Sequence, residues 1–172
     1  MAFPQHHRGR RMVIRLAVFV LAAWLIATLS RQAFGQPSAG QTDTASSAPS
    51  GSRVVELRVE EKRLSAELAD TAELRSRGLM YRTDLARDQG MLFIFNQADR
   101  HCMWMRNTPL PLSVAFIDAS GRITNLADMR PFSDTAHCAI RPVLFALETR
   151  QGWFTENQLG PGHRVRGIPG HR

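Results

Sequence analysis

DTAELRSRGLMYRTDLARDQGMLFIFNQADRHCMWMRNTPLPLSVAFID, running from Asp70 to Asp118, decides how this chain folds. Asp70 or Thr71 can cap a short helix, with Glu73 placed to return the bond at the third helical position and Gly78 able to take the left-handed conformation that ends it. A helix of barely two turns is marginal alone, so Leu74, Leu79 and Met80 must dock it. Met91 to Phe95 and Leu112 to Ile117 are apolar on both faces and read as central strands. Between them His101 to Arg106 reads as a further strand, and Thr108-Pro109-Leu110-Pro111 turns the chain, because proline cannot donate to a ladder.

Working outward, Val55, Leu57 and Val59 alternate with charged residues, and the alternation resumes at Leu64, Ala66 and Leu68, which predicts an opening hairpin with one wet face. Downstream, Asp118-Ala119-Ser120-Gly121 is a hairpin turn into a strand over Arg122 to Ala127, and Val143 to Glu148 supplies another. Gln151 to Asn157 reads as a second short helix, and Gly160-Pro161-Gly162 turns the chain into a last strand, His163 to Arg166. Strands joined this closely, with two short helices, define an α+β domain of mostly antiparallel β, a compact and partly closed barrel-like sheet.

Several words recur in a set order: GLMYR from Gly78, GMLFIF from Gly90, MWMRNT from Met103, FID ending at Asp118, and ALE ending at Glu148. In this order and spacing they resemble the family called domain of unknown function 192, over roughly residues 54 to 167. The resemblance implies a compact β-rich fold and brings no settled activity with it.

The first 35 residues carry Arg8, Arg10, Arg11, Arg15 and Arg31, no acid, and an apolar run from Leu16 to Leu29. That run is shorter than the roughly 20 residues that span a bilayer as a helix, and Ala33 and Gly35 are small residues at the positions a signal peptidase inspects. Residues 1–35 therefore read as a signal peptide cleaved after Gly35, with an uncleaved membrane anchor as the alternative. Arg10-Arg11 has a faint twin-arginine look, and no Cys stands near the apolar run to accept a lipid. Residues 36–52, built of Gln, Pro, Ser, Ala, Gly and Thr with one Asp, read as a disordered linker. Residues 53–167 form the single globular domain and 168–172 a tail.

Removing the leader's five arginines takes the formal net charge from +7 to +2. The remaining arginines form no run that tracks phosphates, so nucleic acid is not expected as a partner. The expected location is the periplasm or the exterior, with membrane contact only through an uncleaved leader.

Cys102 and Cys138 are the only cysteines, and in an oxidising compartment they are expected to pair, closing a loop of 35 residues. Neither belongs to the words shared with the family. If His101 to Arg106 is a strand, His101, Met103 and Met105 share a face, and an imidazole with thioethers selects copper, with Met129 and His137 able to complete the set. The plainer reading places these methionines in the core.

Arg82, Asn107, Thr108, Asp118 and Glu148 are polar residues of the family words, and Arg77 directly precedes GLMYR. They serve either to close turns or to line a ligand pocket beside Met80, Trp104 and Phe116, where aromatic faces and hydrogen-bonding groups suit a small polar ligand such as a sugar. Glu148 ends an otherwise apolar strand, so it should be partly buried and paired, with Arg77 or Arg82 as candidate partners. No G-x-S-x-G elbow, phosphate loop or dinucleotide fingerprint is present. Asp118 and Glu148 would make a hydrolase only if the fold set them roughly 5 to 10 Å apart. The expectation is thus a non-catalytic small-ligand or accessory module of the envelope without a cofactor, with a copper-handling protein and a small hydrolase as alternatives.

Overall fold

The computed structural model describes residues 52–170. The leader, and the linker up to Gly51, lie outside the described residues. Strands β1 (Val54–Val59) and β2 (Lys62–Ala69) form the expected hairpin, closing through Val59 opposite Lys62. Helix α1 (Ala72–Arg77) follows, with Thr71 Oγ1 accepting from the Leu74 amide at 3.1 Å and Gly78 ending it at φ 48°. No residue of α1 is buried. It is held instead by Arg75, whose Nη1 donates to the carbonyls of Asp70 and Ile94 at 2.8 Å each, and by Leu79, which enters the core just beyond.

After α1 come β3 (Gln89–Asp99), β4 (Cys102–Met103), β5 (Leu112–Ile117), β6 (Ile123–Met129), β7 (His137–Cys138), β8 (Val143–Arg150), helix α2 (Trp153–Glu156) and β9 (Val165–Arg166). Seven strands make one sheet in the order β6-β5-β8-β3-β2-β1-β9, while β4 and β7 form a separate two-stranded ribbon. Only β2 and β3 run parallel within the main sheet, and the other pairs are antiparallel. The two edges curl toward each other and meet at a bridge between Arg122 and Arg164, where the Ile123 amide donates to the His163 carbonyl at 2.9 Å and the Val165 amide to the Gly121 carbonyl at 2.8 Å. The sheet is thus a half-barrel whose edges touch at one end, an α+β domain as the strand pattern implies.

The period of two along each strand sorts the apolar residues into two cores. Leu64, Ala66 and Leu68 of β2, Leu92 of β3, Ala115 and Ile117 of β5 and Leu147 of β8 fill the concave side, which Trp153 and Phe154 of α2 close. Trp153 is wholly enclosed, yet its Nε1 donates to Asp88 at 3.1 Å, so its one polar group is satisfied. Met91 and Phe93, Val114 and Phe116, and Ala146 point to the other side, where Leu79 and Met105 from the connections cover them. Ile168, read from the sequence as the start of the tail, is buried in the concave core, so packing runs one residue past Gly167.

One expected element is shorter than the sequence implies. The strand over His101 to Arg106 stops at Met103, because Asn107 takes φ 56° and the Thr108 amide turns back onto the Met105 carbonyl at 3.0 Å. The two-residue alternation that would set His101, Met103 and Met105 on one face therefore ends before Met105.

Gly90 marks where β3 comes closest to β8. A Cβ there would stand 2.5 Å from the Glu148 carbonyl oxygen, a backbone atom that cannot move aside cheaply. Gly90→Ala is expected to push the two strands apart and to lower stability by about 1 to 3 kcal/mol, read as a drop in the urea midpoint at unchanged slope.

Candidate functional site

Glu148 lies in the middle of the sheet, directly opposite Met91 on β3 and Val114 on β5. It shares a face with Ala146, so its side chain rises from the apolar outer core. The residue is 4% exposed. Among the described residues its carboxyl has neither a hydrogen-bond nor an ion-pair partner. Burial alone pushes its pKa from 4.5 to about 8. At neutral pH the group therefore keeps its proton and can donate one hydrogen bond as well as accept.

The expected ion pair does not form. Arg82 is taken by Glu67, at 2.5 Å, with both side chains largely enclosed. Glu67 projects from the polar side of β2, on which alternation gives no hint of a partner in the GLMYR segment. Arg77 is exposed and makes no side-chain hydrogen bond or ion pair with another described residue.

Glu148 opens into a cleft of about 240 Å³, walled by Arg77, Met80, Phe93, Met103, Trp104 and Thr108. A second compartment of about 300 Å³ adjoins it and holds Glu67, Tyr81, Arg82 and Asp84. The two share Arg77, Gly78 and Met80, so Arg77 stands at their junction. Of the eight expected ligand-binding residues, Arg77, Met80, Trp104, Thr108 and Glu148 line one cleft, and Arg82 lines its neighbour. Phe116 is fully buried in the core behind.

The loops that frame the cleft carry unusual backbone. Tyr81, Asn107 and Phe132 have φ of 63°, 56° and 57°, a region in which bulky residues are rare. They are linked: the Tyr81 amide donates to the Asn107 carbonyl at 2.8 Å, and the Phe132 amide to the Thr108 carbonyl at 3.1 Å. Three large aromatic residues near this turn are also exposed, Tyr81 by 72%, Phe132 by 66% and Trp104 by 51%. Left-handed aromatic residues cost stability, and such strain gathers at binding sites. Tyr81→Asn, which puts a residue tolerant of this conformation at a position that buries little, is expected to raise stability by about 1 kcal/mol in urea unfolding.

Sequence reasoning missed Arg75, Phe93 and Phe95 as lining residues, and Phe132 as part of the frame. Tyr81 stood within GLMYR, but nothing in the sequence around Phe132 marks it.

Asp118 stands apart. Its Oδ1 accepts from the Ser120 amide at 2.8 Å, the Ser120 hydroxyl at 2.6 Å and the Arg122 amide at 3.0 Å, which makes it the organiser of the β5–β6 turn. Burial pushes its carboxyl up, but these hydrogen bonds outweigh it and hold the pKa below the ordinary value. Glu148 pairs with Val114, and Asp118 lies four residues further along, roughly 13 Å at the rise of a strand. Asp118 lines neither compartment of the cleft and its Oδ1 is held by the β5–β6 turn, so it does not share a site with Glu148 as the hydrolase constellation requires.

The copper set does not assemble either. The ring of His101 stacks on Phe95 at 3.6 Å, and its Nε2 lies 3.0 Å from the Gln97 carbonyl. Met105 and Met129 are enclosed in the outer core, while Met103 lines the cleft and His137 pairs with it across the ribbon. Among the described residues no cluster of His, Cys, Asp or Glu is arranged to hold a metal ion.

Cys102 and Cys138 form a disulfide between directly opposed positions of β4 and β7, with Cα atoms 4.0 Å apart. Cys102 also lines the cleft, so the bridge ties the wall that carries Met103 and Trp104.

The half-barrel fold is shared with other proteins. The profile of the DUF192 family, described as uncharacterized ACR, matches residues 54–167, and the chain belongs to that family. A solved structure from Sinorhizobium meliloti, proposed by its description to be a transcription regulator, is 32% identical with a TM-score of 0.67, over 70% of this chain and 98% of that one. A protein of unknown function from Novosphingobium aromaticivorans is 33% identical with a TM-score of 0.65, over 77% of this chain and 99% of that one. A comparison with curated proteins finds no match.

Proposed function

We propose that this chain is an exported, non-catalytic binding module of the bacterial envelope, and that its cleft takes a small polar ligand of carbohydrate type. The observation that carries the reading is Glu148, a buried and unpartnered carboxyl at the floor of an open cleft. A buried polar group without a partner costs stability, so a sheet that retains one at its centre gains something else from it. A ligand hydroxyl or carbonyl reaching the floor would supply the missing hydrogen bond. Trp104 is half-exposed at the wall, with the Arg106 guanidinium over one face of its ring at 4.9 Å, so a sugar ring would stack on the opposite face, and Arg77 and Thr108 add polar groups. The cleft is smaller than most drug-sized pockets, which suits one or two rings. Export is supported by the leader-like segment and by the cysteine pair, since disulfides persist in oxidising compartments.

The test is a thermal-shift screen of the exported protein against neutral, acidic and amino sugars and divalent metals. A sugar is expected to raise the melting temperature of the parent protein, and Glu148→Leu, which removes the hydrogen-bonding group from an apolar surrounding, is expected to stay folded and lose most of that rise. Failure of every sugar to stabilise the parent protein would overturn the reading.

A further inference from the structure

We infer that the ligand of this cleft is an acidic sugar whose carboxylate pairs with Arg77 while its ring lies between Trp104 and the Glu148 carboxyl. The inference rests on the carbohydrate reading above and adds the charge of the ligand to it.

The charges around the cleft decide it. Arg75, Arg77 and Glu148 are the ionisable side chains of its lining apart from the bridged Cys102. Glu148 carries no charge at neutral pH, because apolar neighbours on both flanking strands hold its proton in place. Arg75 is spent on two backbone carbonyls, which fix its guanidinium without neutralising it. Arg77 is exposed, without a partner among the described residues, and common to both compartments. Of the neighbouring cations, Arg82 is neutralised by Glu67 and Arg106, over the Trp104 ring, by Asp134, while Asp84 adds one carboxylate to the adjoining compartment and leaves the two compartments together net positive. The cleft thus presents uncompensated positive charge beside a neutral hydrogen-bond donor, which favours an anion and opposes an amine.

One free guanidinium matches one carboxylate, since its fork of donors meets both oxygens at once. A phosphate dianion would call for more than one free cation, and Arg75 is committed elsewhere.

The experiment compares four probes on one ring: glucuronate, glucose, glucosamine and glucose 6-phosphate. Each is titrated into the isotope-labelled exported protein at neutral pH and low salt, following amide shifts by NMR. Glucuronate is expected to bind about tenfold tighter than glucose, the worth of one charge-assisted pair. Arg77→Gln, a change at an exposed position, is expected to bring the two affinities within about twofold while its spectrum shows an intact fold. Equal binding of glucose and glucuronate would overturn the acidic-sugar inference and leave the carbohydrate reading standing. A preference for glucosamine or glucose 6-phosphate would overturn it equally. If no probe shifts the amides around Trp104 and Glu148, both readings fall together.

Discussion

Glu148→Gln is expected to stabilise this protein at pH 8 and to leave it nearly unchanged at about pH 4. The folded pKa of Glu148 is raised by burial to about 8, against 4.5 for the solvated group. A raised folded pKa means that the native state binds more protons than the unfolded state between these values. The contribution of the protonated group is therefore fully present below about pH 4.5 and is lost as pH climbs toward 8. Across that window the loss is on the order of 4 kcal/mol. Glutamine has nearly the same shape and stays neutral throughout, so the variant escapes the loss. Urea midpoints of both proteins at about pH 4, 6 and 8 check it: the curves should coincide at the lowest value and separate upward. A parent protein as stable as the variant at pH 8 would show that the carboxyl has water or a partner enough to ionise in place.

The second large effect belongs to the Cys102–Cys138 bridge. The two residues are 36 apart, and on the chain-entropy account closing such a loop in the unfolded chain stabilises the fold by about 4 kcal/mol. The double replacement Cys102→Ser with Cys138→Ser should lower the unfolding free energy by that order. Both cysteines are exposed, so little packing is lost with the sulfurs. Because the bridge also ties the ribbon that carries Met103 and Trp104, the double variant should lose ligand response beyond what its stability explains. Urea unfolding with and without reductant reads the first effect, and titration at a temperature where both proteins are folded reads the second. An unchanged midpoint in the double variant would reject the bridge as a stabiliser.

Much of the architecture was legible because it follows from side-chain period. Alternation at Leu57 and Val59 and again at Leu64, Ala66 and Leu68 marked the first hairpin, and the unbroken apolar run from Leu112 to Ile117 marked a strand buried on both faces. What the sequence hides is register. Whether Asp118 lies near Glu148 depends on which residue of β5 faces Glu148, and that is settled by long-range pairing that no local pattern encodes. The same holds for Arg82, whose partner Glu67 comes from β2 and not from β8. The ribbon at His137–Cys138 is two residues long, too short for any periodicity to register. Five of the eight expected site residues nevertheless meet in one cleft, because they flank short connections that all lie over the same face of the sheet.

The meeting of Arg122 with Arg164 has a consequence for how the chain assembles. An open sheet ends in two rows of unpaired amides and carbonyls, and such rows recruit strands from other molecules. Here β9 lies beside β1 through Val59 and Val165, and its neighbour Arg164 reaches across to Arg122 beside β6. Arg164 is held further by Glu60, which accepts from its amide at 2.8 Å and donates its own amide to the Arg164 carbonyl at 3.1 Å. One short strand near the end of the sequence thus shields both borders at that end. A chain ending before Arg164 leaves the borders at β1 and β6 open together, so such a truncation is expected to aggregate more readily than the full chain, as light scattering would show.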